Sequence, residues 1–416
     1  MREQMIPKKA LLQVCAVYLL SLTLGWPSFA VIRSADISES NSQSNMEIYP
    51  EDPLDLGKQY VKEKRYELAV DTYTKALRES SAKFSLYIGR SRAYIGLKQY
   101  ENALADAELA IRDRPDHPLG YSNRGFAYSL MNKLDKGIAD FSKAIELSPS
   151  TSQFYALRGA ANLEFGRPQL AVDDLSVAIQ TAKGVVNPLV LENRALAFRQ
   201  LGRYEEALRD LSESLRIDPS FSSSRLRRGS VYRCLDKYEL AKRDLDEVIN
   251  HDPDHLEAHL QRAFVSMDQN DFKSALEDLE YVDRKGMKDV HLFLSLAYAH
   301  YRLGNKLDAI RYNEKATLSF PDKLQAVATL QKGIFFLASG KLDAGLELLS
   351  VGQELARKDK NPESIQDTLD DLDQLEVQGR ISSRVVERNR EGLAKTLKDL
   401  KSLIGIRQKC HERGIP

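Results

Sequence analysis

At 416 residues the chain is long enough for two or three ordinary domains, and 43% apolar with 29% charged residues is the balance of a soluble, well-packed protein. Lysine plus arginine and aspartate plus glutamate are equal at 60 each, so bulk charge argues against nucleic acid or an anionic membrane as the partner.

In chain order, the first segment pairs basic residues (Arg2, Lys8, Lys9) with an apolar run from Ala10 to Leu24, then the helix-breaking Gly25-Trp26-Pro27 and a small-x-small site, Ser28-Phe29-Ala30. This pattern predicts a secretory signal peptide over residues 1–30, with cleavage after Ala30 favoured over a retained anchor, because the run is too short to span a bilayer comfortably. Val14 stands before Cys15 where a lipoprotein signal needs a small residue, so no lipid anchor is expected. The expected mature chain is exported, to the periplasm or outside the cell, or to the ER lumen in a eukaryote, with no membrane span. Its two cysteines, Cys234 and Cys410, lie too far apart in sequence to suggest a disulfide framework. Residues 31–49, rich in Ser, Asn, Asp and Glu, predict a disordered linker.

From about residue 50 the chain repeats itself every 34 residues. Tyr100, Ala103, Ala110 and Pro115 recur as Leu134, Gly137, Ala144 and Pro149, then as Pro168, Ala171, Ala178 and Lys183. After a two-residue insertion the series continues with Tyr204, Ala207, Ser214 and Pro219, with Tyr238, Ala241, Val248 and Pro253, and with Phe272, Ala275, Val282 and Met287. Each unit carries two runs of helical periodicity, small residues where two backbones must approach, and in most units a proline that stops the second run. One helical hairpin cannot bury its apolar stripe alone, so neighbours stack into a solenoid.

With these residues the chain resembles the tetratricopeptide-repeat family. Gly57, Tyr60, Tyr66, Ala69, Tyr73 and Ala76 supply a first unit, Ala297, Gly304, Ala309, Ala316 and Pro321 an eighth, and Gly333, Phe336, Gly340 and Leu349 a degenerate ninth. The resemblance implies an all-α, right-handed superhelical solenoid of about nine hairpins over residues 50–358. Asn162 and His300 stand where the family has tyrosine, which predicts looser packing in the fourth and eighth hairpins. Residues 359–409 depart from the repeat: Asn361-Pro362 and Ser382 open two helices, the second with an apolar stripe at Leu393, Leu397, Leu400 and Ile404. They are expected to cap the last hairpin, the alternative being a docking helix, and 410–416 to form a flexible tail.

Six repeats place an arginine just before the small residue of the first helix: Arg90, Arg124, Arg158, Arg194, Arg228 and Arg262. The same six place an aspartate sixteen residues later, at Asp106, Asp140, Asp174, Asp210, Asp244 and Asp278, and the first, eighth and ninth repeats have neither. A ligand-binding stripe of cations would not tie itself to aspartates on the second helix. An ion pair across the hairpin or to its neighbour explains the coupling, so the ladder is expected to be structural.

The family's concave positions, carried over one by one, imply a partner-binding face made of Arg92, Phe126, Arg199, Arg227, Arg233, Phe264, Met267, Tyr298, Tyr301 and Arg302. Aromatics, methionine and arginine are the side chains enriched at binding hot spots, and the group from Phe264 to Arg302 is the expected groove. For any single ring, packing against the next hairpin is the competing reading. The family's carboxylate clamp is absent: Asn123 and Asn193 match it, but Ile88 with Arg92 and Ala156 with Ala160 stand at its other positions.

No phosphate loop, paired-cysteine motif or nucleophile elbow is present, and no cofactor is expected. His251, His255 and His259 are spaced by four, but Pro253 breaks the helix between the first two, which favours a polar turn over a metal site. The expected function is a non-catalytic scaffold that binds a protein or peptide outside the cytoplasm. The alternative is a chaperone-like holder of unfolded clients, although the His-Pro-Asp of a J domain is missing.

Overall fold

A computed structural model describes residues 52–81, 83–182, 184–319, 325–338, 342–359 and residue 368. The expected signal peptide and linker lie outside the described residues. So do the expected cap and tail, apart from Asp359 and Thr368.

The described residues contain eighteen α-helices and no strand. Hairpin by hairpin in chain order these are α1 (Pro53–Lys62) and α2 (Tyr66–Glu79), α3 (Lys83–Gly96) and α4 (Tyr100–Asp113), α5 (Pro118–Leu130) and α6 (Leu134–Leu147), α7 (Ser152–Glu164) and α8 (Pro168–Thr181). Next come α9 (Pro188–Gln200) and α10 (Tyr204–Ile217), α11 (Ser222–Cys234) and α12 (Tyr238–His251), α13 (Leu256–Asp268) and α14 (Phe272–Arg284), α15 (Val290–Arg302) and α16 (Lys306–Ser319), α17 (Gln325–Ala338) and α18 (Leu342–Asp359). The fold class is the expected all-α solenoid of repeated hairpins. The chain divides into two compact units between Val231 and Tyr232, inside α11.

Local chemistry sets the helix ends. Pro53, Pro118, Pro168 and Pro188 open their helices, where a missing N–H removes nothing the helix would use. Asp52 and Asn187 cap α1 and α9 by accepting from the amides of Leu54 (3.0 Å) and Leu189 (2.9 Å). Inside each of eight hairpins the turn holds one residue at positive φ: glycine at Gly166, Gly202 and Gly304, but Lys64, Lys98, Asn132, Asp236 and Asn270 elsewhere. A lysine pays for this conformation through its Cβ. The exposed Lys98, at φ 60°, is therefore a site where Lys98→Gly raises the unfolding free energy by about 0.5–1 kcal/mol, once glycine's entropic cost is set against the relieved strain. Thermal melts of the two proteins check this, and an unchanged or lower Tm would sink it.

In the unit before Tyr232, small residues bring the helices close. Ala69, Ala103, Ala110, Ala171 and Ala207 are wholly buried, with Tyr73, Phe141 and Phe154 as the large fillers. A Cβ added at Gly57 or at Gly89 would come within 2.4 Å of the Tyr73 ring, so the ring is clasped by two glycine backbones. Burial pushes the Tyr73 phenol up to about 12, with Arg92 acting in the opposite direction.

In the unit from Tyr232 onward, Leu279, Val282, Leu292, Phe293, Leu296 and Ala316 build one core cluster, and Leu330, Ile334, Phe335, Leu337 and Leu349 another.

At the two positions expected to pack more loosely, Asn162 is buried and donates through Nδ2 to Asp174 (3.1 Å), while Asn162 Oδ1 and His300 Nε2 are buried with no hydrogen-bond partner among the described residues. His300 is buried with its ring stacked on Tyr312 at 5.4 Å, and burial lowers its affinity for a proton.

Candidate functional site

Each ladder arginine sits on the first helix of its hairpin, one residue before the small contact residue. From there it reaches across to the second helix. Arg90–Asp106, Arg124–Asp140, Arg158–Asp174, Arg194–Asp210 and Arg262–Asp278 form as two-pronged bonds, from Nε to one carboxylate oxygen and from Nη2 to the other, all at 2.7–2.9 Å. Hydrogen bonding to its aspartate holds Arg90, Arg124 and Arg262 above the usual guanidinium range.

The arginine's remaining arm points backward to the preceding hairpin. Nη1 donates to Thr74 from Arg90 (3.0 Å), to Ser142 from Arg158 (3.1 Å), to Ser176 from Arg194 (3.1 Å) and to Asp246 from Arg262 (2.7 Å). These pairs therefore close their hairpins, and the four with a backward bond are riveted to the preceding one; sequence reasoning did not identify these second partners.

Among the expected partner-binding positions of the first unit, Arg92 is half-buried. Phe126 packs against the cluster of Leu134, Phe141 and Ala161. Arg199 donates to Ser230 at 3.2 Å. Arg227 donates through Nε to Glu192 at 2.6 Å, and Glu192 is completely buried. The other Glu192 oxygen accepts from Ser223 (2.6 Å) and Ser224 (2.9 Å), so a charged carboxylate is held by three donors from α11. Sequence reasoning placed Arg227 on the partner face and did not single out Glu192.

In the second unit the expected groove separates into two parts. Phe264 and Met267 are only 3% and 6% exposed and belong to the core with Leu279 and Phe293, which corrects their assignment as partner contacts. Arg233, 8% exposed, is likewise withdrawn from the surface: Nε donates to Asp268 at 2.5 Å and the guanidinium lies 5.2 Å from the Phe264 ring centre.

Tyr298, Tyr301 and Arg302 stay half-buried and are brought together on α15. Arg302 donates to the Tyr298 hydroxyl at 2.8 Å and lies over the Phe272 ring at 4.4 Å and the Tyr298 ring at 5.6 Å. Tyr298 meets Phe272 edge-on at 5.9 Å, and Tyr301 stands 4.8 Å from Phe335 of α17. Next on that helix, Lys332 approaches the half-buried Phe336 at 5.7 Å. A rigid aromatic patch with a stacked guanidinium suits an amphipathic or aromatic surface and loses little side-chain entropy on contact.

Of the three histidines spaced by four, two have internal tasks. His255 Nδ1 accepts from the amide of Ala258 at 3.2 Å, and His259 contacts Asp278 and the Pro253 carbonyl. Among the described residues no group of three His, Cys, Asp or Glu side chains is placed to hold a metal ion. No described helix is long and apolar enough to cross a membrane.

Family profiles described as tetratricopeptide repeat match residues 54–118, 118–151 and 188–221. Over these segments the chain is similar to tetratricopeptide repeats. No curated protein sequence matches it.

Among solved structures, the Cut9–Hcn1 hetero-tetramer of the APC/C superposes with a TM-score of 0.54 at 12% identity, covering 68% of this chain and 55% of that one. A tetratricopeptide-repeat protein from Parabacteroides merdae superposes at 0.46 with 15% identity, covering 59% of this chain and 97% of its own. One from Thermus thermophilus superposes at 0.39 with 22% identity, covering 43% and 96%. At 12% identity the likeness to the Cut9–Hcn1 structure is one of fold.

Proposed function

We propose that this protein is a non-catalytic scaffold that holds a protein or peptide partner against the aromatic patch of α15 and α17, and that it works outside the cytoplasm after removal of residues 1–30. The observation that carries the reading is the half-buried group of Tyr298, Tyr301 and Arg302, packed against Phe272 and Phe335 yet still open to solvent on one side. The inner-face arginines elsewhere support the same focus by default, since Arg199, Arg227 and Arg233 each bond to the protein itself. Delivery by a signal peptide rests on the pattern from Arg2 to Ala30.

The test is affinity capture from the exporting compartment with wild type and with Tyr298→Ala/Tyr301→Ala. Loss of one saturable partner at least tenfold in affinity is expected, about 1.4 kcal/mol or more. Equal capture by both forms would refute the site. Indiscriminate capture of unfolded chains would favour the holder instead.

A further inference from the structure

Arg302, the last residue of α15, differs from the inner-face arginines that the fold pairs with acids. Arg227 bonds to Glu192 at 2.6 Å and Arg233 to Asp268 at 2.5 Å. Arg302 has no carboxylate within ion-pair distance among the described residues. Its Nη1 donates to the Tyr298 hydroxyl at 2.8 Å, Nη2 reaches the Asn270 side-chain oxygen at 3.4 Å, and the guanidinium lies over the Phe272 and Tyr298 rings at 4.4 and 5.6 Å. The interval of 35 residues that brings an acid to the other two brings none here, since Met267 and Leu337 stand at that distance from Arg302.

The guanidinium is nevertheless held in place. Two rings fix its plane and the Tyr298 hydroxyl fixes its direction, so little side-chain freedom remains to be lost on binding. An arginine keeps its charge in a protein and carries five N–H donors. Two of the five are engaged here, the one to Asn270 at the long limit. The rest suffice for the kind of two-pronged bond that the ladder arginines make to their aspartates.

No acid on the two helices of the patch competes for this charge, because neither α15 nor α17 contains an aspartate or glutamate. Lys332 of α17 is bonded to Glu314 of α16 at 2.8 Å. Asp268 is taken by Arg233, and Asp271, which follows Asn270, turns to its own helix and accepts from the Ser274 amide at 3.1 Å. A guanidinium without a counter-ion, beside two tyrosine rings whose centres are 6.4 Å apart, matches one carboxylate next to an apolar side chain. A phosphate group, with nearly twice the charge, would call for a second cation.

We propose that Arg302 anchors a carboxylate of an acidic, apolar peptide, whose neighbouring apolar side chain lies against Tyr298 and Tyr301. This rests on the α15 and α17 patch being the partner site. A display library of random twelve-residue peptides, selected on the full chain, should yield ligands that pair Asp or Glu with Leu, Phe or Trp. In the tightest of them, replacing the acid by its amide should weaken binding to the wild-type chain by about tenfold or more, because a charge-assisted bond is lost. The same exchange should change binding to Arg302→Gln by less than about twofold. Arg302→Lys, which keeps the charge and loses the fork, should fall between the two. The amide exchange is read on the unaltered protein, so a folding defect in either variant does not decide the outcome. Selection of ligands without an acid, or an acid whose loss costs wild type and Arg302→Gln equally, would overturn the anchor. If such ligands still fail on Tyr298→Ala/Tyr301→Ala, the scaffold reading stands. Ligands indifferent to that double variant, or no ligand at all, would overturn both. A dimer of the chain that Arg302→Gln abolishes would make a second copy the occupant and would overturn the peptide.

Discussion

Replacing Arg158 with alanine should lower the unfolding free energy by about 3 kcal/mol, because the buried Asp174 carboxylate would lose both prongs of its guanidinium partner. Asn162 alone would remain bonded to it. The pair differs from an exposed ion pair, whose worth is within about 1 kcal/mol, in that its two bonds are parallel and its carboxylate lies away from water. Asp174→Ala should cost a similar amount, and the double variant much less than the sum, with a coupling energy near 2 kcal/mol. Ser142→Ala, which removes only the rivet to the preceding hairpin, should cost about 1 kcal/mol. Denaturant unfolding of the four proteins measures all of this. Additive single effects would mean that the arginines are not structural and would return them to the pool of ligand-binding cations.

The ladder was legible in the sequence because presence and absence of the two residues agree across all nine repeats, a signal that needs no alignment of relatives. The helix ends were legible because proline and the 34-residue period fix them chemically. The inner face was legible only in part. Its positions follow from the period, but whether a side chain there meets solvent depends on what the next hairpin places opposite it. Phe264 and Met267 are covered, Arg233 is matched by Asp268, and Tyr298 and Tyr301 keep an open side. A usable signal was present but not read: Glu192–Arg227 and Arg233–Asp268 are opposite charges 35 residues apart, and the buried Asn123 reaches the Ile88 carbonyl across the same interval. Searching at one repeat plus one residue, as the ladder was searched at sixteen, would have withdrawn Arg227 and Arg233 from the partner face.

The Glu192 pair provides the sharper test of that correction. Arg227→Ala leaves a completely buried carboxylate with only the hydroxyls of Ser223 and Ser224, and should cost about 3 kcal/mol, close to the loss expected at Arg158. A cation poised for a ligand would behave differently, since its removal should leave stability within about 0.5 kcal/mol. Glu192→Leu alone strands the guanidinium, which is less buried than its partner, and should cost less than Arg227→Ala. Combining Glu192→Leu with Arg227→Met removes both charges and keeps the volume, so most of the stability should return, because a well-packed apolar pair is often as stable as the buried ion pair it replaces. Chemical denaturation of the three variants decides the matter. Recovery in the double variant would establish that Arg227 faces inward to hold the fifth and sixth hairpins together. An unperturbed Arg227→Ala would restore it to the partner-binding face.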